Sequence, residues 1–163
     1  MKTLILIRHA KSSWEHEGLA DDERPLNRRG ERDAPRMGER LAERGVQVDR
    51  IITSPARRAL MTAEMIADEI GYPWDEIVCD ERLYMGDVDD ILEVIEEVEE
   101  YVDRLMLFGH NPGFTDMVNY FAPSPIDNLP TCGVAEFAFD IDDWSQIGEA
   151  TPLSVFFDAP RRE

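Results

Sequence analysis

A chain of 163 residues has room for one sizeable hydrophobic core, and a 43% apolar fraction is enough to build it. The charge is lopsided: 35 acidic side chains against 17 basic ones give a formal net charge of −18 and a pI near 4.4. A surface of that sign repels phosphate backbones and anionic lipid, which excludes nucleic-acid coating and membrane-surface roles; an anionic substrate would need a concentrated positive pocket.

The elements follow in chain order. Leu4 to Ile7 is a continuous apolar run, as expected of a strand buried on both faces, and Arg8-His9 ends it. It is too short for a signal peptide, and no run approaches the roughly 18 apolar residues of a spanning helix. Cys79 and Cys132 lie far apart without metal-ligand or disulfide-framework spacing. A soluble cytoplasmic protein is expected. Residues 28–45 place Ala34, Met37 and Leu41 at helical spacing, with Gly45 as the stop. Arg50 to Thr53 is a second strand, after which Ser54-Pro55 opens a helix with Pro55 at its first position. Ala59, Ala63, Ile66 and Ile70 line the buried face of that helix, and Gly71 ends it.

Ile77 to Cys79 is a short third strand. Val88, Ile91, Leu92, Ile95, Val98 and Val102 repeat at three and four, predicting an amphipathic helix over 88–102. Its opposite face carries much of the excess acid, as a solvated surface or as a docking face for a basic partner. Leu105 to Phe108 is another buried strand, closed by Gly109-His110-Asn111-Pro112-Gly113. A helix containing Phe114, Met117, Val118 and Phe121 follows, and then two closing strands, 134–140 and 153–158. Strands alternating with helices imply right-handed crossovers and a mostly parallel sheet. The expected fold is α/β: a single-domain, three-layer sandwich over residues 1–163.

In such sheets ligands bind at the carboxyl ends of the strands. His9 follows the first strand there, and His110 follows the Leu105–Phe108 strand in the same way; His16 has no such placement and reads as a surface residue. Arg8 adjoins His9, and Arg57 and Arg58 lie in the first turn after the second strand. Arginine forks suit phosphate oxygens, and helix starts after Pro55 and Pro112 add donors and positive dipole ends. Together they describe a phosphate pocket on one rim.

Arg8-His9-Ala10 resembles the Arg-His-Gly signature of the histidine phosphatase superfamily, the phosphoglycerate-mutase-like fold. Thr53-Ser54-Pro55-Ala56-Arg57-Arg58-Ala59, with Thr62 behind it, resembles that family's second motif. Gly109-His110-Asn111-Pro112-Gly113 resembles its second-histidine motif. The order, spacing and compact length, with Arg8 to Trp14 and Pro25-Leu26, are most similar to SixA-type phosphohistidine phosphatases. The resemblance implies His9 as nucleophile, forming a phosphohistidine intermediate. It implies Arg8 and Arg58 as the phosphoryl clamp and His110 as the second pocket histidine, with Arg57 at the rim or surface. Neither a cofactor nor a metal is called for.

The departures are informative. Larger relatives place an acid near the third strand to protonate an alkoxide, and no residue of Asp80 to Asp87 falls on that motif; Glu81 and Asp87 are the candidate general acids. Glu15 follows the tryptophan where mutase-type members carry asparagine. Without an acid an alkoxide leaves badly, whereas a phosphorylated imidazole has a labile P–N bond. The expected activity is therefore a metal-independent phosphatase acting on a phosphorylated protein side chain, phosphohistidine. The alternatives are a small-molecule phosphomonoesterase of the same fold and a non-catalytic phosphate-sensing module. Oligomeric state is not legible.

Overall fold

The computed structural model describes residues 1–160; residues 161–163 of the expected domain lie outside the described residues. Six strands form one sheet: β1 (Lys2–Arg8), β2 (Arg50–Thr53), β3 (Val78–Cys79), β4 (Arg104–Gly109), β5 (Val134–Phe139) and β6 (Ser154–Asp158). Their order is β3-β2-β4-β1-β5-β6, with β1 to β4 parallel and β5 antiparallel to both of its neighbours. Among the described residues, four α-helices flank the sheet: α1 (Arg28–Glu43), α2 (Arg57–Ile70), α3 (Val88–Glu96) and α4 (Gly113–Phe121).

The continuous apolar runs explain the three layers. In a strand, successive side chains point to opposite faces. Ile5 and Ile7 of β1, with Met106 and Phe108 of β4, pack against Ala34, Met37 and Leu41 of α1 and Ala63 and Ile66 of α2. Leu4, Leu6, Leu105 and Leu107 face the other way, against Ile91 and Ile95 of α3 and Phe114, Met117 and Phe121 of α4. Both clusters are apolar and buried, which a strand alternating with polar residues could not have supplied.

Helix ends follow local chemistry. Asn27 accepts a hydrogen bond from the Gly30 amide (2.9 Å) at the start of α1. Past its end the chain turns through Gly45 in the left-handed region (φ 74°), as Gly71 (φ 78°) does after α2. Two expectations are corrected. The second helix begins at Arg57 with Ala56 as its cap, so Pro55 is not its first residue. The Ser54 hydroxyl accepts the Ala56 amide (3.2 Å), and that turn delays the helix. The acidic helix stops at Glu96 rather than running to 102. Its continuation is diverted because Lys2 bonds the Glu100 and Val102 carbonyls, and the Trp144 indole donates to Val102 (2.7 Å). Val98 and Val102 are nonetheless buried, so the periodicity marked burial correctly but not helix length.

The topology fixes where a ligand can bind. β1 and β4 are parallel neighbours, in register from Thr3↔Arg104 to Arg8↔Gly109. The chain leaves β1 toward the α1 face and leaves β4 toward the α4 face. Connections that part to opposite faces open a crevice at the strand ends between them.

Candidate active site

Three strand ends are stitched together at this crevice. The His9 amide donates to the Gly109 carbonyl (3.0 Å), and the Ser54 amide donates to Phe108 (2.9 Å). The rings of His9 and His110 are thereby brought to 5.1 Å between centroids, tilted by 51°. Both histidines are buried, and both line a cavity of about 490 Å³ with Arg8, Arg24, Arg58, Lys11, Asp21 and Tyr84.

Each functional side chain is tied to the scaffold. His9 Nδ1 lies 2.7 Å from the Ala10 carbonyl. A carbonyl can only accept, so Nδ1 carries the proton and Nε2 is the ring nitrogen with a free lone pair. The Ala10 amide donates to Thr62 Oγ1 (3.0 Å), whose hydroxyl donates to the Arg58 carbonyl (2.7 Å). Thr62 thus locks the loop after His9 to the turn that carries Arg58. His110 Nε2 pairs with the Ser54 hydroxyl (2.8 Å), and its ring meets the Tyr84 ring in a T-shaped contact. Arg8 Nη1 donates to the Leu129 carbonyl (3.1 Å). Cys132, at φ 59°, donates its amide to the carbonyls of Arg8 and His9 (3.0 Å each).

Burial dominates the electrostatics. It lowers His9 to about 4, helped by the positive charge of Arg58 and opposed by the bond to Ala10. It lowers His110 to about 3, with the charge of His9 adding to the effect. Both imidazoles are therefore neutral at neutral pH, the state in which a ring nitrogen keeps a lone pair. The Tyr84 hydroxyl (2.6 Å) is the chief cause that lowers Asp21 to about 2, with the bond from Arg58 Nη2 (2.9 Å) acting the same way.

The four expected site residues, Arg8, His9, Arg58 and His110, converge on this cavity. Arg57 is exposed outside it, and His16 is exposed. Lys11, Ser12 and Thr131 also line it. Glu81 and Asp87 do not. Glu81 is exposed at the start of a short turn, and Asp87 spends its carboxylate on the Asp90 amide (3.0 Å) as the cap of α3.

Asp21, Arg24 and Tyr84 are not among the expected site residues, and Ser54 is expected only as part of a motif and a helix start, not as the partner of His110. The acidic stretch 21–23 reads as solvated surface, yet Asp21 turns into the cavity. It does so because the segment after His9 folds back on itself: Ser13 bonds Pro25 (2.8 Å), and Asn27 bonds Lys11 (3.0 Å). Buried Arg24 braces this fold through the Ser12 hydroxyl and the Ser13 carbonyl (3.0 Å each), with its guanidinium 3.6 Å from the Trp14 ring centroid. An arginine one residue before Pro25-Leu26 was the available signal.

The lining has four cationic side chains, Arg8, Lys11, Arg24 and Arg58, against Asp21, the one acid among the described residues there. The concentrated positive pocket that an anionic substrate would need on so acidic a chain is present. An uncharged imidazole nitrogen among guanidinium forks is equipped to attack phosphorus and to hold the charge on its oxygens. No helix among the described residues is long and apolar enough to cross a membrane.

The family model for the histidine phosphatase superfamily (branch 1) matches residues 4–113, more than half of the chain. Among curated proteins, a 2,3-bisphosphoglycerate-dependent phosphoglycerate mutase of Thermobifida fusca is 41% identical over 76 residues, covering 45% of this chain and 31% of the mutase. An uncharacterized chloroplastic protein of Arabidopsis thaliana is 27% identical over 155 residues, covering 89% of this chain and 70% of the relative. The chain thus matches about a third of the length of the first and more than two thirds of the second. Among solved structures, the protein histidine phosphatase SixA complexed with tungstate superposes with a TM-score of 0.81 at 22% identity, covering 97% of both chains. A mycobacterial glucosyl-3-phosphoglycerate phosphatase in complex with VO3 gives 0.69 at 15% identity, covering 98% of both. At these identities the superpositions establish the phosphoglycerate-mutase-like fold.

Proposed function

The chain belongs to the histidine phosphatase superfamily, and from that premise we propose that it is a phosphatase that carries the phosphoryl group on His9 and acts on protein phosphohistidine. His9 Nε2 attacks phosphorus in line; the Nε2–P bond forms as the substrate's P–N bond breaks. Arg8, Arg24 and Arg58 hold the equatorial oxygens, and His110 lies beside the nucleophile. Water then attacks the same phosphorus, the Nε2–P bond breaks, and inorganic phosphate and neutral His9 are released. Guanidinium groups meet the charge, so the proposed steps call for no metal.

One observation supports the choice of substrate. The acid lining the cavity, Asp21, is held as a carboxylate by Tyr84 and Arg58, so it has no proton to give at neutral pH. An alkoxide leaving group needs that proton. A phosphorylated imidazole does not: protonated on its second ring nitrogen by solvent, it departs neutral. The relatives' names span mutases and sugar-phosphate phosphatases as well as SixA, and a small-molecule phosphomonoesterase is the rival outcome.

The test pairs turnover with trapping. The protein should dephosphorylate a phosphohistidine protein far faster than alkyl phosphate esters, and label from the donor should appear on His9 and vanish in His9→Ala. Faster turnover of sugar phosphates would move the assignment to the rival. Undiminished turnover by His9→Ala would overturn the mechanism, and oxyanion binding without turnover of any donor would make the chain a sensing module.

A further inference from the structure

Arg58 is 3% exposed, and its guanidinium is engaged from both terminal nitrogens by one residue. Nη1 donates to the Asp21 backbone carbonyl (2.6 Å), and Nη2 donates to Asp21 Oδ2 (2.9 Å). The same carboxylate receives the Tyr84 hydroxyl on Oδ2 (2.6 Å) and Arg24 Nε on Oδ1 (3.3 Å). These are the donors that two oxygens of a phosphoryl group would take in a bidentate clamp. A carboxylate held by two arginines and a tyrosine hydroxyl at the cavity wall satisfies the same groups that a bound phosphate must recruit.

We propose that Asp21 is a built-in counter-anion that competes with the phosphoryl group for Arg58 and so speeds the release of inorganic phosphate. The inference rests on the phosphatase reading above and concerns the regulation of that same site. Four cationic side chains around a dianion would hold the product tightly. A fixed carboxylate in the same shell repels the dianion and gives Arg58 an acceptor to return to when phosphate departs. Its Tyr84 tether keeps it within reach on the wet side of the cavity, where Asp21 is 47% exposed. Catalysis gains because the transferring phosphoryl group spreads less charge over its oxygens than free phosphate carries, so the penalty falls most heavily on product.

The size of the effect follows from Coulomb's law. With a separation of about 5 Å and an effective dielectric of about 20 to 40, one carboxylate weakens the binding of one unit of anionic charge by roughly ten- to a few hundred-fold. The loss of one brace on Arg58 offsets part of that gain.

The experiment measures the affinity of inorganic phosphate and of tungstate by titration calorimetry at constant ionic strength, for the wild type, Asp21→Asn, Asp22→Asn and Arg58→Ala. Asp21→Asn preserves shape and the backbone contact to Arg58, and should bind both oxyanions about tenfold or more tightly. Its phosphate inhibition constant and its KM should fall in step. Asp22→Asn changes the net charge equally from an exposed neighbouring position, and should shift affinity by less than about twofold. A purely structural role for Asp21 predicts the opposite sign, because an unbraced Arg58 binds more weakly. Unchanged or weaker binding by Asp21→Asn, or equal tightening by Asp22→Asn, overturns the inference and leaves the proposed function standing. A wild-type protein that binds neither oxyanion, indistinguishable from Arg58→Ala, overturns both.

Discussion

The two buried histidines make stability depend on pH in a window where few other side chains titrate. An unfolded histidine takes up a proton near pH 6.5, but burial keeps His9 and His110 neutral down to about 4 and about 3. Between those values the unfolded chain binds more protons than the folded one, so stability rises with pH and is lost on acidification from about 6.5 downward. From pH 7 to pH 5 each histidine removes about 2 kcal/mol, or about 4 kcal/mol for the pair, out of a typical total of roughly 5–15 kcal/mol. Urea unfolding followed by circular dichroism at pH 7, 6 and 5 would measure it, on wild type and on His9→Gln and His110→Gln. Protonation of the many carboxylates relieves self-repulsion over the same range, but that background is common to all three proteins and cancels in the comparison. Each variant should lose about 2 kcal/mol less than wild type between pH 7 and pH 5. Equal losses in variant and wild type would refute the reasoning, as would imidazole NMR shifts showing either ring protonated by pH 6.

Three further outcomes follow from single contacts. A Cβ at Gly113 would stand 2.1 Å from the Gly86 carbonyl oxygen, so Gly113→Ala should push the Tyr84–Gly86 turn away from α4. Stability should fall by about 1–3 kcal/mol by thermal denaturation, with a raised KM because Tyr84 moves with that turn. Thr62→Val keeps the shape but leaves the buried Ala10 amide without its acceptor; about 1–3 kcal/mol and a lower kcat are expected, with Thr62→Ser restoring both. Asp87→Ala removes the cap of α3 and should cost about 1 kcal/mol while kcat holds, whereas a fall in kcat would return Asp87 to the candidate acids.

The framework is legible in the residues. Leu4 to Ile7 and Leu105 to Phe108 are apolar on every residue, and such short runs are stable only as strands covered on both faces, which is where they lie. Their polar ends, Arg8-His9 and Gly109-His110, then had to fall at the carboxyl rim, and parallel pairing put them side by side. The tertiary structure alone decided the rest of the pocket. Asp21 stands in an acidic run indistinguishable in sequence from solvated surface, and its approach to Arg58 depends on how an irregular segment folds back over the strand ends. Periodicity carries no information about such a segment, because its course is set by individual hydrogen bonds from Ser12, Ser13 and Arg24. The same reason explains why 88–102 could be recognised as a buried stripe but not as a helix cut short at Glu96. Spacing reports which side chains leave water, while the partners that capture backbone carbonyls, here Lys2 and Trp144, come from residues far away in the chain.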